Sequence, residues 1–276
     1  MRYLLSLLVA VSTFAAEPLV TRDVFYTKSK DKLQSLDVYS PHQGDQHPVI
    51  VWIHGGGWTK GDKAVLQKKP QALVEKGYVL VSINYRLVPT VTLKDLMGDI
   101  AKSIRWVRDH AKEHRGDPDR IVIMGHSAGA HLAALLCTDD RYLKAAGVPM
   151  NCLKGCVPLD VSAYDIPKRL KDGGDTPATS YTNVFGTTEA EQQEFSPVYF
   201  VAKGKAIPPF LLLHVASRES TKTQAHWLAS KLHEIGVAAR VVAAEGKTHG
   251  TISTELGGAD DPLTLELWKF LSEVTS

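Results

Sequence analysis

Three features of the sequence predict an α/β fold built on a mostly parallel sheet. Short β-rich runs alternate with helical patterns along nearly the whole chain, as strands and crossover helices do in such sheets. Two of the runs, Pro48 to His54 and Tyr78 to Tyr85, are largely apolar rather than alternating, which suits interior strands covered on both faces. The composition, 44% hydrophobic and 22% charged over 276 residues, is that of an ordinary globule large enough for one sizeable core. It excludes collagen-like, coiled-coil and largely disordered chains, and no short repeat or low-complexity stretch is present.

Taken in order, the chain opens with Met1 and Arg2 followed by an uncharged run from Tyr3 to Ala16, with Glu17 the first acidic residue. A bilayer span needs about 20 apolar residues, so the run is too short to cross, and its pattern is that of a secretory leader. Small residues at Thr13 and Ala15 suit cleavage after Ala15, making residues 1–15 a signal peptide and 16–276 a single domain; a buried N-terminal helix is the alternative. A secreted or periplasmic location follows from the leader.

Val24 to Tyr26 and Leu36 to Tyr39 are predicted as short leading strands. Between the two apolar runs, Ala64 to Lys76 carries a helical pattern that stops at Gly77. Leu96, Ile100, Ile104, Val107 and Ala111 recur at three- and four-residue steps and mark one buried face of a helix over Leu93 to His114. Gly116 to Asp119 is read as a break, Arg120 to Met124 as a strand, and Ala128 to Cys137 as a helix of small residues. Gly155 to Leu159, Pro209 to Val215 and Ala239 to Ala244 are further strands, and Thr223 to Ile235 and Pro262 to Val274 further helices. Residues 162–207 lack a clean period and read as an excursion over the sheet's edge, too short for a second domain.

A formal charge of +2 gives no electrostatic reason to expect nucleic acid or an anionic surface as a partner. Cys137, Cys152 and Cys156 are too few for a disulfide framework and stand at no zinc-finger spacing. Cys152 and Cys156 are the nearer pair if one bridge forms, while Cys137, inside an apolar run, reads as packed.

The chemistry gathers in two glycine-rich turns. Gly125-His126-Ser127-Ala128-Gly129 matches Gly-x-Ser-x-Gly between a strand and a helix, a context that lifts the serine clear of the sheet and marks Ser127 as a nucleophile. His54-Gly55-Gly56-Gly57-Trp58 continues directly from the first interior strand. Its glycines let the main chain approach a substrate, so the N–H groups of Gly56 and Gly57, joined by that of Ala128, can face a developing oxyanion. A phosphate-binding loop is the competing reading, but Gly61 is followed by Asp62 and Lys63 where that motif needs Lys and then Ser or Thr.

Through His54 to Trp58, Asn84 to Leu87 and Gly125 to Gly129, the sequence resembles the α/β-hydrolase family, and within it carboxylesterases of the hormone-sensitive-lipase and feruloyl-esterase-like type. The resemblance implies an α/β-hydrolase fold with a mostly parallel central sheet, flanking helices and a small excursion over the active site. It implies Ser127 as nucleophile, Gly56, Gly57 and Ala128 as oxyanion hole, and a base in the loop after the last strand, where His249 stands. The expected reaction is ester hydrolysis of a small-molecule substrate through an acyl-enzyme, with no metal or organic cofactor. An amidase, such as a formamidase, on the same constellation is the alternative within enzymes.

The acid departs from the family pattern. Relatives usually carry an Asp a few residues after the strand equivalent to Pro209 to Val215, yet His214 to Thr221 contains no Asp and only Glu219 as carboxylate. The other candidate is Asp160, at the end of strand Gly155 to Leu159. Both fit the chain order, and both have structural readings: an Asp at a strand end often caps a turn, and a loop Glu is often solvated. The missing Asp also leaves open a catalytically silent hydrolase fold used for binding. Of the remaining residues, His126 is expected beside the nucleophile and His54 as a brace for the glycine loop. Arg86 with Asp99 is expected to hold the loop after the second interior strand, and Asp165 to fix the start of the excursion. Trp58, Tyr181, Phe185, Phe195 and Tyr199 are candidates to line a pocket, with core packing as the alternative.

Overall fold

A computed structural model describes residues 16–276. The expected leader cleavage after Ala15 therefore concerns residues 1–15, outside the described ones.

The chain builds β1 (Leu19–Phe25), β2 (Ser35–Ser40), β3 (His47–Ile53), α1 (Lys69–Glu75), β4 (Val79–Ile83) and α2 (Leu93–His110). It continues through β5 (Gly116–His126), α3 (Ala128–Thr138), α4 (Asp140–Ala145) and β6 (Leu153–Leu159). The excursion holds α5 (Ile166–Asp172), α6 (Ala178–Phe185) and α7 (Glu189–Glu194). After it come β7 (Phe210–Val215), α8 (Glu219–Glu234), β8 (Ala239–Ala244), α9 (Thr251–Thr254) and α10 (Pro262–Thr275).

One eight-stranded sheet runs in the order β1-β2-β4-β3-β5-β6-β7-β8. Its first two pairings are antiparallel and the rest parallel. The interior strands β3, β4 and β6 are buried almost throughout, and β5 is buried from Ile121 to Gly125, as their apolar runs require. On one face the core gathers residues of α2, α3 and α8 with the excursion; on the other, Trp52, Leu73, Ile252, Leu267 and Phe270 pack from β3, α1, α9 and α10. The parallel strands all point their C-terminal ends to one edge, the place where open α/β sheets carry their sites.

Two boundaries move from their expected places. Helix α1 begins five residues later than Ala64, because Pro70 occupies its first turn and Gln67 has a left-handed φ of 52°. Strand β5 begins at Gly116, where a break is expected, because Gly116 pairs with His47 before a register shift resumes the ladder at Val49 and Ile121. All three cysteines are buried and free, so Cys152 and Cys156 are not bridged. Burial, with the neighbouring Cys137 thiol, pushes the Cys156 thiol pKa up.

The expected braces are in place. Arg86 grips Asp99 with Nε to Oδ2 at 2.6 Å and Nη2 to Oδ1 at 2.8 Å, and Asp99 is fully buried at the foot of α2. Asp165 caps α5 through the Lys168 amide and also accepts from the Trp227 indole at 3.0 Å.

Candidate active site

The register of the sheet brings the site together. His126 is level with Leu159, and Leu159 with Leu213. Ser127 and Asp160 therefore leave neighbouring strand ends side by side, held by Ser127 N to Leu159 O at 2.9 Å and Asp160 N to Leu213 O at 2.7 Å.

Ser127 sits at the sharp turn between β5 and α3 with φ 56° and ψ −123°, a combination strained for any residue with a side chain. The turn closes so tightly that a Cβ on Gly129 would come within 2.1 Å of the Ile53 carbonyl oxygen, which explains the glycine. The reward is geometric: the serine hydroxyl projects beyond the sheet, and Ala128, as first residue of α3, has an N–H with no acceptor inside its helix.

His249 follows β8 and reaches back across the edge, its Nε2 3.0 Å from Ser127 Oγ. Its Nδ1 lies 2.7 Å from Asp160 Oδ2. Asp160 is 1% exposed, and its other oxygen accepts from the Val215 amide at 3.0 Å. Burial by itself raises the carboxyl's pKa. The hydrogen bonds from His249 and Val215 and the charge of Arg218 outweigh that and hold it well below the usual carboxylate range.

Glu219 does not join them. It is the first residue of α8, its side chain is 76% exposed, and its carboxylate pairs with Lys222 at 3.2 Å. An open helix N-terminus is a comfortable place for a solvated carboxylate, so nothing draws it toward the sheet edge.

The loop carrying His249 is fixed from beneath. The ring of His126 packs 4.6 Å from that of His249, and His126 Nε2 is 2.7 Å from the His249 carbonyl oxygen. Burial, with the neighbouring imidazole, pushes the His126 pKa down to about 4, which keeps the ring neutral. Lys69, buried and without a carboxylate partner, donates to the Ser253 carbonyl at 2.6 Å and ties α1 to α9 just beyond His249. Burial brings its pKa down to about 7.

Gly56, Gly57 and Ala128 line a cavity of about 740 Å³ with Ser127 and His249. A Cβ on Gly56 would stand 1.9 Å from the Lys60 carbonyl oxygen, so only glycine fits. His54 is buried, stacks on Tyr85 at 4.3 Å and places Nδ1 2.7 Å from the Gly55 oxygen, bracing the loop as expected. Of the candidate pocket aromatics, Trp58 and Tyr181 line this cavity. Phe185 is packed edge-on against Trp58 at 4.8 Å, Phe195 lies behind Phe185, and Tyr199 is 47% exposed. Phe185 and Phe195 therefore belong to the core and Tyr199 to the surface.

Three neighbours of the site have little signal in the sequence: Arg218, Lys69 and His131. His131, one turn into α3 from Ser127, accepts from the Trp58 indole at 3.1 Å and places Nε2 2.7 Å from the Phe195 carbonyl oxygen. It thus links the glycine loop, the nucleophile helix and the excursion. Both its nitrogens are used only by the neutral ring, and burial lowers its pKa to about 4.

His131→Phe keeps the bulk but strands two buried polar groups, and is expected to lower the unfolding free energy by about 2 to 4 kcal/mol, measured by denaturant titration. The unfolded ring takes up its proton near 6.5 while the folded ring resists until about 4. Parent stability should therefore fall as pH drops through that window, and the variant should fall less steeply.

Among the described residues no group of three His, Cys, Asp or Glu side chains is placed to hold a metal, and no helix is long and apolar enough to cross a membrane.

Known proteins share this architecture. A truncated carbohydrate esterase from gut microbiota superposes with a TM-score of 0.79 at 21% identity, covering 95% of this chain and 98% of that one. Esterase Est2 of Thermogutta terrifontis does so with a TM-score of 0.67 at 25% identity, covering 93% and 91%. The fold is that of the α/β-hydrolases. In sequence, the isoprenylcysteine alpha-carbonyl methylesterase of Arabidopsis thaliana is 30% identical over 246 residues, 82% of this chain and 56% of that protein. The chain spans about half the length of the first curated relatives it matches. The BD-FAE family profile matches residues 36–232, most of the sheet together with the glycine loop, the Ser127 turn and the excursion, and the chain belongs to the BD-FAE family.

Proposed function

We propose that the protein is a serine carboxylesterase acting on small-molecule esters through an acyl-enzyme. The observation that carries this is the unbroken chain from Asp160 to His249 at 2.7 Å and from His249 to Ser127 at 3.0 Å. Esterase relatives and neighbours support it, and the acid found beside the base removes the motive for a silent binding module.

In this mechanism Ser127 Oγ adds to the ester carbonyl as its proton passes to His249 Nε2. Asp160 holds Nδ1–H, which fixes the tautomer that leaves Nε2 free to accept, and stabilises the imidazolium that forms. Negative charge collects on the former carbonyl oxygen, where the N–H groups of Gly56, Gly57 and Ala128 are the donors. His249 then returns the proton to the departing alkoxide, leaving the acyl group on Ser127. Water, deprotonated by His249, repeats the sequence and frees the acid and the serine. The leader-like run ahead of Glu17 supports a secreted or periplasmic setting for this activity.

The test is a fluorophosphonate probe together with nitrophenyl esters of increasing acyl length. The expected result is a single adduct mapped by peptide mass spectrometry to Ser127, with matching loss of ester turnover. A folded protein that neither takes the probe nor releases nitrophenol would overturn the reading.

A further inference from the structure

The loop after β7, where the family resemblance places the acid, carries a cation instead. Arg218 stands there, and its guanidinium reaches the triad: Nη1 bonds Asp160 Oδ2 and lies 2.9 Å from His249 Nδ1. Nδ1–H and Nη1–H both donate to the same carboxylate oxygen, so the short distance between the two nitrogens is that of two donors meeting on one acceptor. The far side of the guanidinium is held by Asp175 of the excursion, with Nε and Nη2 each 2.6 Å from Oδ2. Asp175 Oδ1 accepts in turn from Ser220 at 2.6 Å. The Arg218 side chain is only 18% exposed and lines the cavity.

We propose that Arg218 is a positioning residue of the triad, clamping Asp160 between the excursion and His249 and opposing the build-up of positive charge on the imidazole. The carboxylate that stabilises an imidazolium is here shared with a second cation. The attraction it offers His249 is weaker than in an acid and base pair standing alone, and the guanidinium adds repulsion at close range.

Other charged or titratable groups stand around His249: Lys60 and Asp62 line the same cavity, and Lys247, two residues before it, is paired with Glu255 and Asp261. His126 beneath it is neutral, Lys69 lies beyond His126, and Asp175 touches it only through Arg218. The location of Arg218 also ties the state of the triad to the excursion, since the segment bearing Asp175 must be docked for the clamp to close. This inference takes the roles of Asp160 and His249 from the proposed function.

The test is direct titration of the His249 imidazole by NMR in the full-length chain, assigned with His249→Gln, alongside the pH profile of ester turnover. Arg218→Met keeps the length and removes the charge. It is expected to raise the His249 pKa by about one unit and to move the acid limb of kcat/KM upward with it. Arg218→Lys, retaining the charge, should stay near the parent.

Asp175→Asn, whose amide oxygen can still accept from Arg218, removes neutralising charge and should move the pKa the opposite way. An unchanged pKa in Arg218→Met, or an equal shift in Arg218→Lys, would overturn the inference. Should Arg218→Met fail to fold, Asp175→Asn decides, and an unmoved pKa there overturns it as well. The imidazole titration needs no turnover. A parent that hydrolyses no ester would remove the proposed function while this readout still decides the role of Arg218.

Discussion

Ser127→Ala is expected to fold like the parent and to lose ester turnover by on the order of 10⁴-fold or more, measured as kcat/KM on a short nitrophenyl ester. The size of the effect follows from the way the three groups act. Without Oγ there is nothing for His249 to activate, and only the contribution of the oxyanion donors and substrate binding remains. His249→Ala should lose a comparable factor, and the double variant little more than either single one. Near-parental turnover in Ser127→Ala would remove the serine from the chemistry, and additive losses would place His249 in a separate step.

The same position allows a second measurement with the opposite sign. Ser127 holds a φ of 56°, which a side chain makes unfavourable, whereas glycine takes it without steric cost. Ser127→Gly should therefore be inactive yet at least as stable as Ser127→Ala. A less stable glycine variant would mean that the elbow stores no strain in that residue.

What the sequence discloses and what it conceals divide along contact range. The interior strands are legible because burial on two faces demands unbroken apolar runs, and the Ser127 turn because close backbone approach at Gly125 and Gly129 admits only glycine. His249 is legible by its place after the last strand.

Arg218 is not, because its role depends on Asp175, 43 residues away in a segment without periodicity. Its one local signal is the exchange of charge: a cation in the slot of the usual acid and an Asp at the end of the strand beside it. Lys69 is concealed for a similar reason. Nothing near it announces that the Ser253 carbonyl, 184 residues later, will accept its hydrogen bond inside the core.

Asp160→Asn is expected to cost turnover by roughly 10⁴-fold, and Glu219→Gln to leave it near the parent, with kcat on the same ester as the measurement. The asymmetry rests on what each carboxylate touches. Glu219 is solvated and meets only Lys222, so its amide changes one exposed pair of small worth. Asp160 accepts from His249, Arg218 and the Val215 amide within a buried pocket. An asparagine there can offer one carbonyl oxygen but must turn an NH₂ toward groups that are themselves donors. If the NH₂ faces His249, the imidazole accepts at Nδ1 and carries its proton on Nε2, pointing at Ser127 where it can no longer take the hydroxyl proton. If it faces Val215 instead, two donors collide in a buried pocket, and stability falls as well.

The parent's acid sensitivity follows from the same site. Asp160 has its pKa held below the unfolded value, so the stability it contributes is present above about 3.9 and is lost as pH falls through the lower folded value. Asp160→Asn should be correspondingly less sensitive to acid than the parent in that range. An Asp160→Asn enzyme that keeps its rate, paired with a Glu219→Gln enzyme that loses it, would return the acid to the loop after β7 and leave the contact between Asp160 and His249 without a catalytic role.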